Sequence, residues 1–169
     1  TLVNEGKIFN ADVLIKGERL ERIDSGFDVK FQAAEVNAEG KYLMPGLIDD
    51  QVHFREPGLT HKATIGSEAR AAVAGGVTSF MEMPNVQPPT LTQALLEEKY
   101  HIASQTALAN YSFYMGVSNN NFEEVMKTPL ENVCGVKIFM GSSTGNMLVD
   151  DAQILEKIYA STPHLIAVH

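Results

Sequence analysis

The sequence predicts an α/β protein in which a short stretch of β-strands precedes a series of parallel βαβ units. Residues 1–44 read as short strands, whereas the rest of the chain alternates strands with helices and contains five expected strands. Five such strands belong either to a doubly wound sheet or to a (β/α)8 barrel. The turn at residues 53–58 lacks the glycine-rich phosphate-binding fingerprint of the nucleotide-binding doubly wound fold. A barrel needs eight units and typically about 250 residues, so this 169-residue chain would hold only part of one.

The N-terminal 44 residues are expected to form part of a small β domain. Two short expected strands, residues 13–16 and 19–23, flank Gly17-Glu18, which is a spacing typical of a tight hairpin. A further extended stretch is predicted over residues 29–36. Residues 41–44 then lead into Pro45-Gly46, where the character of the chain changes.

The five strands of the second part are predicted over residues 47–54, 77–83, 109–115, 133–140 and 165–169. Helices are predicted between most of them. The first helix has apolar residues at helical spacing from Ile65 to Val73 and ends at Gly75-Gly76. Possible capping residues, each followed three positions later by Glu or Gln, predict the starts of three further helices at Thr90, Asn121 and Asp150.

Composition and charge exclude several classes of protein. Lys and Arg total 13 against 21 Asp and Glu, which gives a formal net charge of −8. Because phosphate binding requires clustered cations, we expect neither a nucleic acid nor a membrane as partner. No apolar run approaches the roughly 20 residues of a membrane span, and residues 1–6 have no secretory pattern. The single cysteine, Cys134, is predicted to be a buried thiol, and a cytoplasmic protein is expected.

Polar side chains occupy the C-terminal end of the first strand of the second part. Since side chains alternate along a strand, Asp49, Gln51, His53 and Arg55 are predicted to share one face. That face is either a solvated sheet edge or part of a site. Barrel enzymes place their active sites at the C-terminal ends of strands, which favours a site.

Two further residues have patterns compatible with metal binding. Lys137 lies within an apolar strand, and it either reaches water or a counter-ion or is a neutral amine of lowered pKa. A neutral amine can react with carbon dioxide to form a carbamate, an anionic ligand able to bridge two metal ions. His169 follows an apolar run and is either a hydrogen-bonded core histidine or a ligand. Together with His53, these residues would suit Zn²⁺ with an open coordination position.

The segment PGLIDDQVHFREPG at residues 45–58 closely resembles the signature of dihydroorotases, within the amidohydrolase superfamily. Supporting segments are AAVAGGVT at 71–78, MPN at 83–85 and VKIFMGSSTGN at 136–146, so the resemblance spans essentially the whole chain. It implies an amidohydrolase-type (β/α)8 TIM barrel that abuts a composite β-sandwich. Residues 1–44 would then be part of the sandwich, and residues 45–169 would be the N-terminal part of the barrel, with about its first five strands.

The resemblance also implies a centre with one or two zinc ions. His53 corresponds to a metal ligand, Lys137 to a carboxylated bridging ligand and His169 to a ligand of the second metal. Arg55 and Asn85 match the residues that hold the substrate carboxylate, a task for which a bidentate Arg fork is suited. A remaining histidine ligand and the catalytic aspartate that shuttles the proton are implied to lie beyond residue 169.

One position departs from the family pattern, because Gln51 replaces the first histidine of the usual His-x-His. A glutamine carbonyl is a neutral and weaker zinc ligand than imidazole. Gln51 is therefore a candidate ligand of a weakened metal site or of a single-metal enzyme. Otherwise, Gln51 indicates a relative without catalytic activity. Asp49 and Asp50 are candidates to compensate for the lost imidazole.

The activity implied is the reversible, zinc-dependent hydrolysis of dihydroorotate to N-carbamoyl-aspartate in pyrimidine biosynthesis, by a homo-oligomer (dimer or tetramer). Two alternatives remain. Allantoinases typically carry Asn where Arg55 stands, and hydantoinases lack the Arg-Glu-Pro-Gly run. A non-catalytic dihydroorotase-like scaffold would instead accompany a partner such as aspartate transcarbamoylase. The 169-residue segment is expected to be inactive by itself.

Overall fold

The structure, a computed structural model, describes residues 1–28, 34–143 and 145–169. The chain divides into two compact units, Thr1–Gly46 and Leu47–His169. Most of the extended stretch predicted over residues 29–36 lies outside the described residues. The assignment of residues 1–44 to a composite sandwich stays a prediction. In the described part of the chain, no helix is long and apolar enough to cross a membrane.

The first unit contains two antiparallel hairpins. Strands β1 (Leu2–Asn4) and β2 (Lys7–Phe9) form one hairpin, and β3 (Asp12–Lys16) and β4 (Arg19–Asp24) form the other. The second hairpin confirms the prediction made from Gly17-Glu18, and Gly17 has the positive φ of +60° that its tight turn requires. Residues 41–44 form only an isolated bridge, in which Leu43 pairs with Leu2.

The second unit is a parallel βα-repeat. Its strands are β5 (Leu47–Val52), β6 (Val77–Glu82), β7 (Asn110–Gly116), β8 (Gly135–Ile138) and β9 (Ile166–Val168), and its helices are α1 (Ile65–Ala74), α2 (Gln93–Thr106), α3 (Phe122–Lys127) and α4 (Ala152–Ser161). The strands pair in chain order as one parallel sheet. This order is that of the first part of a TIM barrel, which confirms the predicted fold class. Four of the five strands are shorter than their predicted segments, whereas β7 has the predicted length and is displaced by one residue.

The core lies between the sheet and its helices. Phe80, Phe113 and Ile138 on the strands are buried against helix residues that include Ile65 and Ile158. The predicted apolar face of α4 is confirmed, since Ile154 and Leu155 also pack on this cluster. Because the helices bury their apolar faces against this side of the sheet, they hold the strands and their ends in place.

Two predicted helix starts are displaced. Helix α2 is capped by Thr92, whose hydroxyl accepts from Leu95 N, and not by Thr90. The backbone of Thr90 is engaged elsewhere, because its carbonyl accepts from Gly116 N at 2.8 Å.

Helix α4 is capped by Asp151, whose carboxylate accepts from the amides of Gln153 and Ile154. The carboxylate of Asp150 instead accepts from Asn119 Nδ2 at 2.8 Å. The predicted start of α3 after Asn121 is correct, but the Asn121 side chain does not cap the helix. It accepts from Ser118 N and donates to the carbonyls of Leu91 and Gly116, which tie the loop after β7 to the loop before α2.

Candidate active site

The ends of β5 and β6 bring three of the predicted site residues together. His53 follows β5, and its Nδ1 lies 2.8 Å from Asn85 Oδ1 in the loop after β6. Arg55 Nη1 donates to the Asn85 carbonyl at 3.4 Å. A carbonyl oxygen can only accept a hydrogen bond, so the contact makes His53 Nδ1 the donor and leaves the lone pair on Nε2. Asn85 therefore orients both the imidazole and the guanidinium.

The environment of His53 disfavours its charged form. Burial lowers the pKa of His53, and the charges of Arg55, Lys137 and His169 lower it further, while the hydrogen bond to Asn85 opposes the change. The neutral imidazole, which is the form that binds metals, is favoured.

Lys137 and His169 lie near each other at the C-terminal ends of β8 and β9. Lys137 is buried, and its Nζ donates to the carbonyl of Val168 at 3.1 Å and lies 5.1 Å from the ring centroid of Phe139. The ring of Phe139 lies 5.8 Å from that of His169. Burial lowers the pKa of Lys137. The described residues thus leave this lysine with a carbonyl and an aromatic ring as the contacts of its nitrogen, and none of them is a carboxylate.

The prediction that Asp49, Gln51, His53 and Arg55 share one face of a strand is wrong. The pairing of β5 with β6 shifts register, so that Asp49 aligns with Phe80 and Val52 with Glu82. The three-residue advance from Asp49 to Val52 along β5 therefore corresponds to a two-residue advance along β6. This irregularity breaks the alternation of side chains between Asp49 and Val52. Beyond Val52 the strand has ended, and Arg55 has a positive φ of +71°.

Gln51 lies on the wall of a cavity of about 330 Å³, together with Asp50, Met81, Met83, Tyr114, Cys134, Leu165 and Ala167. The carboxylate of Asp49 accepts from Gln51 N at 3.1 Å, and the Asp50 carbonyl accepts from the Tyr114 hydroxyl at 3.1 Å. Neither contact brings Asp49 or Asp50 to His53. Cys134 is half-buried rather than fully buried, and burial raises the pKa of its thiol to about 11.

The side chains that could act as ligands determine which metal ions this segment could bind. Among the described residues, no group of three or more His, Cys, Asp or Glu side chains is placed to hold a metal ion. His53 and His169 supply imidazole nitrogens, and a carboxylated Lys137 would supply the anionic oxygen, a combination that fits Zn²⁺.

The loops that carry Arg55 and Asn85 are held against each other. Gln87 N donates to the Pro57 carbonyl at 3.1 Å, and a Cβ on Gly58 would overlap the Gln87 carbonyl. Glu56 turns back to α1, where its carboxylate accepts from Ile65 N at 2.8 Å. An anionic acceptor at a helix N-terminus is stabilising. The Arg-Glu-Pro-Gly run therefore holds these loops together in addition to carrying Arg55.

Sequence reasoning missed a buried ion pair directly behind these loops. Glu82 Oε2 and Lys99 Nζ are 2.7 Å apart, and both side chains are fully inaccessible to solvent. Glu82 follows Phe80 and Met81 at the end of β6, and Lys99 lies within α2, so neither charge by itself indicates the pair. Recognising the ion pair requires knowing that these two side chains face each other.

The chain is similar to known proteins over most of its length. Residues 40–140 match the model of a family described as dihydro-orotase-like. A dihydroorotase of Halobacterium salinarum is 32% identical over 160 residues, which are 94% of this chain and 37% of that protein. An allantoinase of Solibacter usitatus is 33% identical over 143 residues, which are 84% of this chain and 31% of that protein.

The fold comparison leads to the same group. An L-hydantoinase (dihydropyrimidinase) from Arthrobacter aurescens superposes with a TM-score of 0.84 at 29% identity, covering 99% of this chain and 38% of that one. The chain thus spans 31% to 38% of the length of these three relatives. The relatives are cyclic amidohydrolases by name. With a family model matched over more than half of its residues, the chain belongs to the dihydroorotase-like family of amidohydrolases.

Proposed function

We propose that the protein containing this chain is a zinc-dependent dihydroorotase, which interconverts dihydroorotate and N-carbamoyl-aspartate in pyrimidine biosynthesis. The observation that supports this proposal most strongly is the contact of Asn85 with both His53 and Arg55. It links a group suited to binding a carboxylate with a group suited to binding a metal, and dihydroorotate has a carboxylate beside its scissile cyclic amide.

The chain's own residues would bind and orient the substrate. The guanidinium of Arg55 would grip the carboxylate through two parallel hydrogen bonds. Asn85 uses its Oδ1 on His53, so Nδ2 is the donor it would offer to the ring. Fixing the ring at two points sets the scissile carbonyl in one orientation, and such positioning makes the attack on it effectively intramolecular.

The catalytic centre would be completed by His53, Lys137 and His169. His53 would use Nε2, because Asn85 engages Nδ1. A zinc ion held by these residues, with Lys137 carboxylated, would supply Lewis acidity and a nucleophilic water at neutral pH. The proton shuttle stays assigned to an aspartate beyond residue 169. A cytoplasmic homo-oligomer remains part of the proposal.

Two other functions have specific support. The allantoinase and hydantoinase relatives favour a related cyclic amidohydrolase with a different substrate. Gln51, in place of a histidine and without a shown contact to His53, favours a non-catalytic scaffold beside aspartate transcarbamoylase. The retention of Arg55, Asn85 and Lys137 argues against the scaffold, since a pure scaffold needs none of them.

Turnover of three substrates separates these functions. The full-length protein and its Arg55→Gln variant would be assayed with dihydroorotate, hydantoin and allantoin. We expect wild type to prefer dihydroorotate, and the variant to lose about 10- to 100-fold in kcat/KM for it, as a charge-assisted contact predicts. Activity on hydantoin or allantoin should change little. A wild type that prefers either of those substrates would contradict the proposal. A zinc-free protein that turns over none of the three and co-purifies with a transcarbamoylase would be the scaffold.

A further inference from the structure

The ion pair between Glu82 and Lys99 lies on the helix side of the sheet, directly beneath the loops of the candidate site. Besides its 2.7 Å contact with Lys99, Glu82 accepts from Arg55 N through Oε1 at 3.2 Å. Lys99 Nζ in turn donates to the Met83 carbonyl at 3.1 Å and lies 4.7 Å from the ring centroid of Phe113.

These contacts reach the backbone of both substrate-binding loops. Arg55 is held through its own amide, and Met83 lies two residues before Asn85. Arg55 has a positive φ of +71°, a conformation that a residue with a Cβ adopts only where its surroundings impose it. The Glu82 carboxylate, which accepts the Arg55 amide, is part of what imposes it.

A purely stabilising role does not account for this pair well. Complete burial disfavours both charges: it raises the pKa of Glu82 and lowers that of Lys99, and their mutual attraction opposes both shifts. Buried ion pairs are often no more stabilising than apolar residues of similar volume. Two well-packed methionines would fill the same space, but they would leave the Arg55 amide without its acceptor.

We propose that Glu82 and Lys99 are positioning residues, with Glu82 fixing the backbone of Arg55 so that its guanidinium is preset for the substrate carboxylate and Lys99 supplying the balancing charge and the tie to Met83. This inference rests on the proposed function for its predicted effect on KM. Its predicted effect on the backbone of Arg55 does not depend on that function. Neither side chain reaches solvent, so neither touches the substrate.

Two double variants of the full-length protein separate positioning from packing. Glu82→Met with Lys99→Met removes both charges and the acceptor for the Arg55 amide. Glu82→Gln with Lys99→Met also removes both charges, but it keeps a side-chain oxygen that can accept from that amide. Ile158→Val serves as a control for destabilisation alone, because Ile158 lies in α4 within the core.

The readouts are KM and kcat for dihydroorotate, the melting temperature, and hydrogen exchange of the Arg55 amide. We expect the Met/Met variant to raise KM about tenfold, as loss of a charge-assisted contact implies, and to accelerate exchange at Arg55. The Gln/Met variant should restore slow exchange and most of the KM. The Ile158→Val control should lower the melting temperature and leave KM unchanged, because instability reduces the active fraction and not the affinity of the active molecules.

Each remaining outcome is decisive. An unchanged KM and slow exchange at Arg55 in the Met/Met variant would overturn the inference, as would equal rises of KM in both double variants. If wild type turns over no cyclic amide, the proposed function fails, and the exchange comparison alone decides the inference. If the double variants do not fold, exchange in wild type decides it: an Arg55 amide as labile as exposed loop amides would overturn it.

Discussion

Asn85 is the residue on which the geometry of the candidate site depends most. Its side-chain oxygen contacts His53 and its backbone carbonyl accepts from Arg55, so one residue orients both groups. The short amide side chain is suited to this task, because it accepts through one atom and donates through the other. Lys137 has the complementary property of being buried with no carboxylate on its nitrogen among the described residues.

The role of Lys137 can be tested by removing its amine. In a Lys137→Ala variant of the full-length protein, zinc content and turnover should fall together, because no other described side chain supplies an anionic ligand beside His53 and His169. Short carboxylic acids should restore part of the activity by replacing the carbamate oxygens. Lys157→Ala is the matched control, since Lys157 stacks on Phe122 away from the site. Zinc loading that survives in Lys137→Ala would contradict a bridging role.

At the scale of elements, the site depends on two loops that hold each other. The loop after β5 runs through Glu56 to the N-terminus of α1, and the loop after β6 meets it at Gln87. They approach each other closely at Gly58, whose φ is +78°. A side chain there is excluded both by the backbone conformation and by the neighbouring carbonyl.

Gly58→Ala should therefore weaken both the fold and the site. We expect the free energy of unfolding to fall by more than about 1–2 kcal/mol, which is the cost of a left-handed conformation alone for a residue with a Cβ. The value of kcat/KM should also fall, because the overlap with Gln87 separates Arg55 from Asn85. Gly75→Ala is the control, since its φ is −88° and an added Cβ would make only ordinary contacts. Equal melting temperatures for the two variants would refute this role of Gly58.

At the scale of the whole molecule, local sequence patterns predicted which helices and strands form better than they predicted where each of them begins and ends. The hairpin over β3 and β4 follows from Gly17 and its flanking apolar residues, which are all local in sequence. The choice of Asp151 over Asp150 as a helix cap is set by Asn119, which is 31 residues away from Asp150. The shift of register in β5 likewise depends on its partner strand and leaves no local signature.

The candidate site was accessible to sequence reasoning chiefly through the resemblance to dihydroorotases. His53 follows β5, Lys137 lies in β8 and His169 follows β9, and periodicity places each of them near a strand end without bringing them together. The pair of Glu82 and Lys99 was missed because its two charges lie on different elements and match no motif. The expected inactivity of the isolated segment stays a prediction.

The most direct test is anomalous scattering at the zinc edge from crystals of the full-length protein. We expect a peak at about 2.0–2.1 Å from an imidazole nitrogen of His53 or His169, with a forked extension on Lys137 Nζ bound to the same metal centre. A zinc peak elsewhere, or side chains at positions 53, 137 and 169 that reach no common metal, would contradict it.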